Sequence, residues 1–218
     1  MNKAMILAAG RGERLRPVTD YVPKSMVEVR GEVLIDRHLR MLGAAGIGTV
    51  VINLGWLGEK IVEHVGSGSR FGVNVVYSPE DDRVLETGGG ICRALPLLGV
   101  DPFWVVNGDI YTDFSVPDEG LPGDADARLV LVPTPPHKAR GDFDLEDGLV
   151  RNGDSPLLTY SGVAQYRPAF FGDAGSGRFS VAPMLMQAAD EGRLAGTFHG
   201  GAWEDVGTPE RLAQLNRT

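Results

Sequence analysis

Apolar residues follow two rhythms along this chain. Short unbroken runs alternate with stretches in which apolar positions recur every third or fourth residue. Runs at 5–9, 49–54, 73–78 and 103–106 have the pattern of strands buried on both faces of a sheet. Between them, 32–46 places Leu34, Ile35, His38, Leu39, Leu42 and Ala45 on one helical face. Residues 56–65 do the same with Leu57, Ile61 and Val65, and 85–98 predicts a third helix opened by a glycine triplet. Such alternation means βαβ units and a parallel sheet. The second half is less regular. Residues 113–127 are rich in Pro, Gly and Asp and predict a loop, while 128–132 and 157–166 predict strands. Asp147-Gly148 between alternating runs is a hairpin signal. Residues 180–190 predict a helix with Val181, Leu185 and Ala188 inward. A further run at 197–206 ends at Thr208, which caps a helix with Pro209 at its first position and Glu210 behind it.

The first strand breaks into a polar stretch, and residues 5–26 read MILAAGRGERLRPVTDYVPKSM. Gly10 and Gly12 let the main chain approach a ligand, and Arg11, Arg14 and Arg16 supply fixed positive charge. Pro17 and Pro23 stiffen the loop, and Lys24 brings a compact cation to its far end. That is the composition of a phosphate site. It is not a P-loop, because Lys24-Ser25 follows Pro23 and not a glycine. It is not the dinucleotide fingerprint either, because Leu15 stands where the third small residue belongs.

Other candidates lie at strand ends and helix starts. Asn107-Gly108-Asp109 follows the run at 103–106, and the carboxyl ends of parallel strands are where ligands of open α/β sheets gather. Asp205, in WEDVGTPERL, ends a second apolar run. Two carboxylates suit a hard cation such as magnesium, which keeps waters and binds triphosphate oxygens. Glu204 should point the opposite way. Glu80, Glu86 and the amides of Gly88, Gly89 and Gly90 offer acceptors and donors to a base.

Composition narrows the class. With 218 residues and 43% hydrophobic content the chain can bury one substantial core, so a single domain is expected. The net charge of −8 argues against nucleic acid as a bulk partner and makes the arginine cluster a local field. One cysteine, Cys92, excludes an internal disulfide and a thiolate zinc site, which fits a reducing cytoplasm. Early in a helix, Cys92 reads as a small buried filler or as a thiol of lowered pKa. No stretch approaches a membrane span, and the N-terminal apolar run is too short for a signal peptide. The four histidines have no metal spacing.

LAAGRGERLRPVT followed by VPKSM resembles the signature of the sugar-phosphate nucleotidyltransferases, which join a nucleoside triphosphate to a sugar 1-phosphate. Ser25 stands where that signature has its second proline. The resemblance implies a Rossmann-like α/β nucleotidyltransferase fold, with a mostly parallel central sheet and a small β-hairpin sugar-binding region. The nucleotide-binding part would span about 1–110 and the sugar-binding part about 111–218. It implies that Ala9, Gly10, Arg11, Gly12, Glu13, Lys24, Glu80, Gly88 and Gly89 bind nucleotide. Arg16 and Lys24 would act in catalysis, Asn107, Asp142 and Gly162 would contact the acceptor sugar, and Asp109 and Asp205 would chelate Mg²⁺. LETGGGI, LPLLG, RGDF and WEDVGTPERL are similar to short family members that take UTP and N-acetylmuramate 1-phosphate in peptidoglycan recycling. Uridylyl, thymidylyl or guanylyl transfer to glucose or mannose 1-phosphate stays open, as does a sensor without turnover. The basic run His137, Lys138 and Arg140 beside Asp142 would suit an acceptor carboxylate. Monomer and homodimer are equally compatible.

Overall fold

The computed structural model describes residues 2–80, 84–172, 174–175 and 177–217. Strand β1 (Lys3–Leu7) leads into the arginine-rich loop, which folds as three 3-10 turns, Glu13–Leu15, Val18–Asp20 and Lys24–Met26. A hairpin of β2 (Glu28–Val29) and β3 (Glu32–Val33) follows, then α1 (Leu34–Ala44), β4 (Thr49–Leu54), α2 (Gly58–Val65), β5 (Asn74–Pro79), α3 (Glu86–Leu98) and β6 (Phe103–Asn107). The chain continues through β7 (Ile110–Thr112), β8 (Ala127–Pro133), β9 (Asp144–Glu146), β10 (Leu149–Arg151) and β11 (Leu158–Tyr166). It ends with α4 (Ala182–Asp190), β12 (Leu194–Phe198), β13 (Trp203–Asp205) and α5 (Pro209–Leu215).

One nine-stranded sheet organises the molecule, in the order β5-β4-β1-β6-β11-β8-β12-β10-β9. β5, β4, β1 and β6 run parallel, as the βαβ alternation requires. β11 runs antiparallel to both β6 and β8, and the β9–β10 hairpin closes the far edge. The expected mostly parallel core is therefore extended by a mixed half that ends in the hairpin.

Strand periodicity of two divides the core. Ala4, Ile6, Val50, Ile52, Trp104 and Val106 meet Ile35, Leu39, Leu42, Ile61 and Val65 of α1 and α2 on one face. Met5, Val51, Phe103 and Val105 meet α3 and α4 on the other through Ile91, Ala94, Leu98, Leu185 and Ala188. A smaller cluster of Leu15, Val27, Leu34, Tyr111, Val206 and Leu215 anchors the arginine-rich loop and α5. Among the described residues, no helix is long and apolar enough to cross a membrane.

Among the boundaries that differ from the sequence reading, three have a local reason that bears on the site. The run at 5–9 leaves the sheet after Leu7, because the Ala8 amide donates to Asn53 Oδ1 at 2.6 Å. The helix expected from residue 32 starts at Leu34, because Arg30 (φ 53°) and Gly31 (φ 77°) make a left-handed hairpin turn that takes Glu32 and Val33 into β3. The run at 197–206 is two strands. β12 stays in the large sheet, while β13 leaves it and pairs with β7, setting Asp205 opposite Ile110.

Candidate active site

β1 has β4 on one side and β6 on the other, and the chain winds away from it first in one direction and then in the other. This reversal leaves a crevice outside the carboxyl ends of β1 and β6, the place where open α/β sheets bind ligands. A cleft of about 180 Å³ lies there, walled by residues 7–10, Lys24, Ser25, Asn53, Glu80, Glu86, Thr87 and 107–109.

The loop after β1 forms one wall. A Cβ at Gly10 would have nothing within 4 Å, so the protein's own packing does not require glycine there, and the open space faces the cleft. Gly12 is different. It is left-handed (φ 66°), its carbonyl accepts from Thr19 Oγ1 at 2.8 Å, and a Cβ would lie 2.9 Å from Thr19 Cγ2. The arginines turn outward. Arg11 stacks on Trp56 at 4.5 Å, Arg16 pairs with Asp20 at 3.0 Å, and Glu13 is exposed. Of the loop residues read as nucleotide-binding or catalytic, Ala9, Gly10 and Lys24 line the cleft, while Arg11, Gly12, Glu13 and Arg16 do not.

The opposite wall rests on a buried relay. Asn53 accepts from Ala8 and donates to Glu80 Oε1 at 2.5 Å, and Glu80 Oε2 accepts the Leu85 amide at 2.9 Å. Glu80 lines the cleft with both oxygens already engaged by the protein. The glycine triplet has a different role from the amide platform expected of it. The amides of Gly88 and Gly89 both donate to the Phe179 carbonyl, at 3.0 and 3.2 Å. A Cβ on Gly88 would strike the Phe179 ring, and one on Gly89 the Gly177 carbonyl. These glycines let α3 pack closely, and Glu86 and Thr87 are the residues of this segment that reach the cleft. Burial pushes the Cys92 thiol pKa up, in line with a filler and against an activated thiol.

The acidic pair comes together across the β7–β13 ladder, where the Val206 amide donates to the Asp109 carbonyl at 2.9 Å. Asp109 contacts Lys24. Asp205 contacts Arg211 through Oδ2, while its Oδ1 is buried with no hydrogen-bond partner among the described residues and has His137 Nε2 3.3 Å away. Glu204, which pairs with Tyr111, is exposed as the strand alternation predicts. A buried carboxylate oxygen that accepts no hydrogen bond among the described residues and a second carboxylate facing the cleft make a donor set that fits a hard divalent cation. Among the described residues no group of three or more His, Cys, Asp or Glu is arranged to hold a metal.

The acceptor candidates divide. Gly162 (φ 83°) sits in a bulge of β11 directly against Asn107, and a Cβ there would lie 2.7 Å from Asn107 Nδ2. Asp142 lies farther out, in a second cleft with Lys138, Arg140, Phe143, Tyr160 and Leu185. It accepts from Lys138 Nζ at 3.0 Å and from the Tyr160 amide at 3.0 Å, which ties this cleft to the start of the bulge. Arg140, on the rim, is exposed.

Sequence reasoning missed several contributors. Asn53 is a polar residue in a strand run, and only the relay shows its use. Ser25 is 2% exposed and lines the cleft, and among the described residues its hydroxyl has no hydrogen-bond partner. Its one signal was that it stands where the signature has proline. Arg211 carried no sequence signal, and His137, read as part of a basic run for an acceptor carboxylate, faces Asp205 instead.

Comparison with known proteins bears on this geometry. Residues 3–119, from β1 through the Asp109 turn, match the model of the family described as nucleotidyl transferase. The chain is 48% identical to an N-acetylmuramate alpha-1-phosphate uridylyltransferase of Neisseria meningitidis, over 97% of this chain and 96% of that one. A protein of the same description from Caulobacter vibrioides is 37% identical, over 95% and 92%. In fold, a candidate glucose-1-phosphate thymidylyltransferase from Bacillus anthracis superposes with a TM-score of 0.84 at 21% identity, over 100% of this chain and 94% of the other. With the cleft at the switch point, the basic loop after β1 and the paired aspartates in place, the chain belongs to the nucleotidyl transferase family and is a sugar-1-phosphate nucleotidyltransferase.

Proposed function

We propose that the protein transfers UMP from UTP to N-acetylmuramate α-1-phosphate, giving UDP-N-acetylmuramate and pyrophosphate, as a cytoplasmic step of peptidoglycan recycling. The observation that carries this reading is the near full-length identity of 48% to the Neisseria uridylyltransferase. An oxygen of the sugar phosphate attacks the α-phosphorus of UTP, the bond from that phosphorus to the β-bridging oxygen breaks, and pyrophosphate leaves. The nucleophile is already an anion near neutral pH, so no general base is needed, and catalysis is positioning plus charge stabilisation.

Each residue then has a role. Ala9 to Glu13 cradle the triphosphate, with Gly10 leaving room for it. Lys24 leaves Asp109 for the reacting phosphate, and Arg16 leaves Asp20 for the β- and γ-phosphates. Glu80 holds the wall behind the base, and Gly88 and Gly89 fix the position of α3. Asn107 and Gly162 meet the acceptor near its phosphate, and Asp142 meets its far side. Asp109 and Asp205 would hold Mg²⁺, which neutralises charge on the phosphate oxygens when bound. Residues up to about 110 thus serve the nucleotide and those from about 111 the sugar.

Pyrophosphate release tests the proposal, with UTP, dTTP, GTP and ATP each offered the 1-phosphates of N-acetylmuramate, N-acetylglucosamine, glucose and mannose. UTP with N-acetylmuramate 1-phosphate should turn over fastest. Turnover confined to a glucose or mannose phosphate would replace the acceptor. Binding of UTP without release from any pair would make the protein a sensor.

A further inference from the structure

Asp205 is held unsymmetrically. Arg211 contacts Oδ2 alone, and the other oxygen is buried, with no hydrogen-bond partner among the described residues and His137 Nε2 at ion-pair distance, 3.3 Å. Arg211 reaches Asp205 from a cavity that His137 also lines. That cavity, lined too by Tyr111, Trp203 and Gln214, is not the cleft at the end of β1.

The arginine is itself fixed. It sits in the first turn of α5, its amide donates to the capping Thr208 Oγ1 at 3.4 Å, and Leu215 of the same helix is buried in the cluster under the arginine-rich loop. Gly207 makes room for the contact. A Cβ at that position would lie 2.9 Å from Arg211 Nη1 and 3.0 Å from Asp205 Oδ2. The backbone between them is tied too, since the Gly207 amide donates to the Asp205 carbonyl at 2.9 Å.

We infer that Arg211 is a positioning residue for the metal centre: it clamps Oδ2 of Asp205 so that Oδ1 is presented to the divalent cation. This rests on the proposed role of Asp205 as a metal ligand. Asp109 offers a contrast. Its cation, Lys24, comes from the wall of the substrate cleft and can leave with a phosphate, whereas Arg211 has no phosphate to follow and remains. A freed Asp205 could turn either oxygen to His137, which already lies 3.3 Å from Oδ1. Two effects of the guanidinium oppose each other. Its charge repels the cation, and its hydrogen bond orients the ligand. Groups that orient metal-bound carboxylates are typically worth about ten- to a hundredfold in metal affinity, so orientation decides the sign.

The test is a titration of the protein with Mn²⁺, following free Mn²⁺ by electron paramagnetic resonance, with a non-hydrolysable UTP analogue present. Arg211→Met should weaken Mn²⁺ binding about tenfold or more, and Arg211→Lys should restore part of it. Gly207→Ala, which crowds the same contact from the other side, should act in the same direction. In turnover, the half-saturating Mg²⁺ concentration should rise while the KM for UTP at saturating Mg²⁺ stays put. Unchanged or tighter Mn²⁺ binding in Arg211→Met would overturn the inference, provided Asp205→Asn loses Mn²⁺. If Asp205→Asn binds Mn²⁺ like wild type, the metal role of Asp205 fails instead.

Discussion

Lys24 has two anions to choose between. In the protein alone its ammonium meets Asp109, and in the proposed reaction it meets the phosphates. Its effect should fall mainly on charge that develops at the reacting centre, so Lys24→Ala should lower kcat more than it raises the KM for UTP. Steady-state kinetics at saturating Mg²⁺ would show this, and a pure KM effect would reduce Lys24 to a ground-state contact. Acceptor choice is also a matter of single side chains. N-acetylmuramate differs from N-acetylglucosamine by a lactyl ether ending in a carboxylate, and a chain of net charge −8 needs a local cation to read it. Lys138 is engaged by Asp142, whereas Arg140, on the rim of the same cleft, has no ion pair among the described residues. A charge-assisted hydrogen bond is worth roughly 1.5–3 kcal/mol, so Arg140→Ala should cut the preference for the muramic acid phosphate about ten- to a hundredfold. The UTP KM should not move. An unchanged kcat/KM ratio between the two sugars would place carboxylate recognition elsewhere.

The loop after β1 contains two glycines with different reasons to be glycine. Gly12 is needed by the fold, through its positive φ and the closeness of Thr19. Gly10 is not. Gly10→Ala should leave the melting temperature unchanged and raise the UTP KM, whereas Gly12→Ala should lower the melting temperature as well, by strain worth about 1 kcal/mol or more. Equal melting losses in the two variants would contradict the distinction. Sequence reading found this loop but could not separate its glycines, since spacing alone does not say whether a missing Cβ faces protein or open space. The same limit explains Gly88 and Gly89, whose amides go to Phe179, a residue far away in the chain. The parallel half of the sheet was legible, because strands buried on both faces are nearly continuous apolar runs flanked by helices of regular period. β13 was not. Its departure from the large sheet to pair with β7 is a long-range choice that the pattern at 197–206 does not encode, yet that choice brings Asp205 to Asp109. Both aspartates were visible as strand ends, while Arg211 was hidden because it acts only through Asp205.

At the scale of the whole molecule, one buried group links stability to pH. His38 of α1 is fully buried, and among the described residues neither ring nitrogen has a hydrogen-bond partner. Burial lowers its pKa from the ordinary 6.5 to about 4, with Asp109 pulling it up and Arg37 pushing it down. Below pH 6.5 the unfolded chain takes up a proton that the folded protein refuses until about pH 4, so stability falls as pH falls through that window. The loss approaches about 3 kcal/mol at its lower end. Urea unfolding at pH 7 and pH 4.5 should show a much larger fall in wild type than in His38→Leu, and equal falls would assign the acid sensitivity to other groups. Nucleotidyl transfer is proposed to take place in the cleft where the sheet reverses its winding, beside the acidic pair. Phosphorus NMR of the protein with UTP, N-acetylmuramate 1-phosphate and Mg²⁺ tests it most directly. The account predicts that the diphosphate signals of a nucleotide sugar and those of pyrophosphate grow in equal amounts. It also predicts that folded Asp109→Ala and Asp205→Ala proteins are slower by about a hundredfold or more. Hydrolysis of UTP without the sugar product, or near wild-type turnover in both aspartate variants, would contradict it.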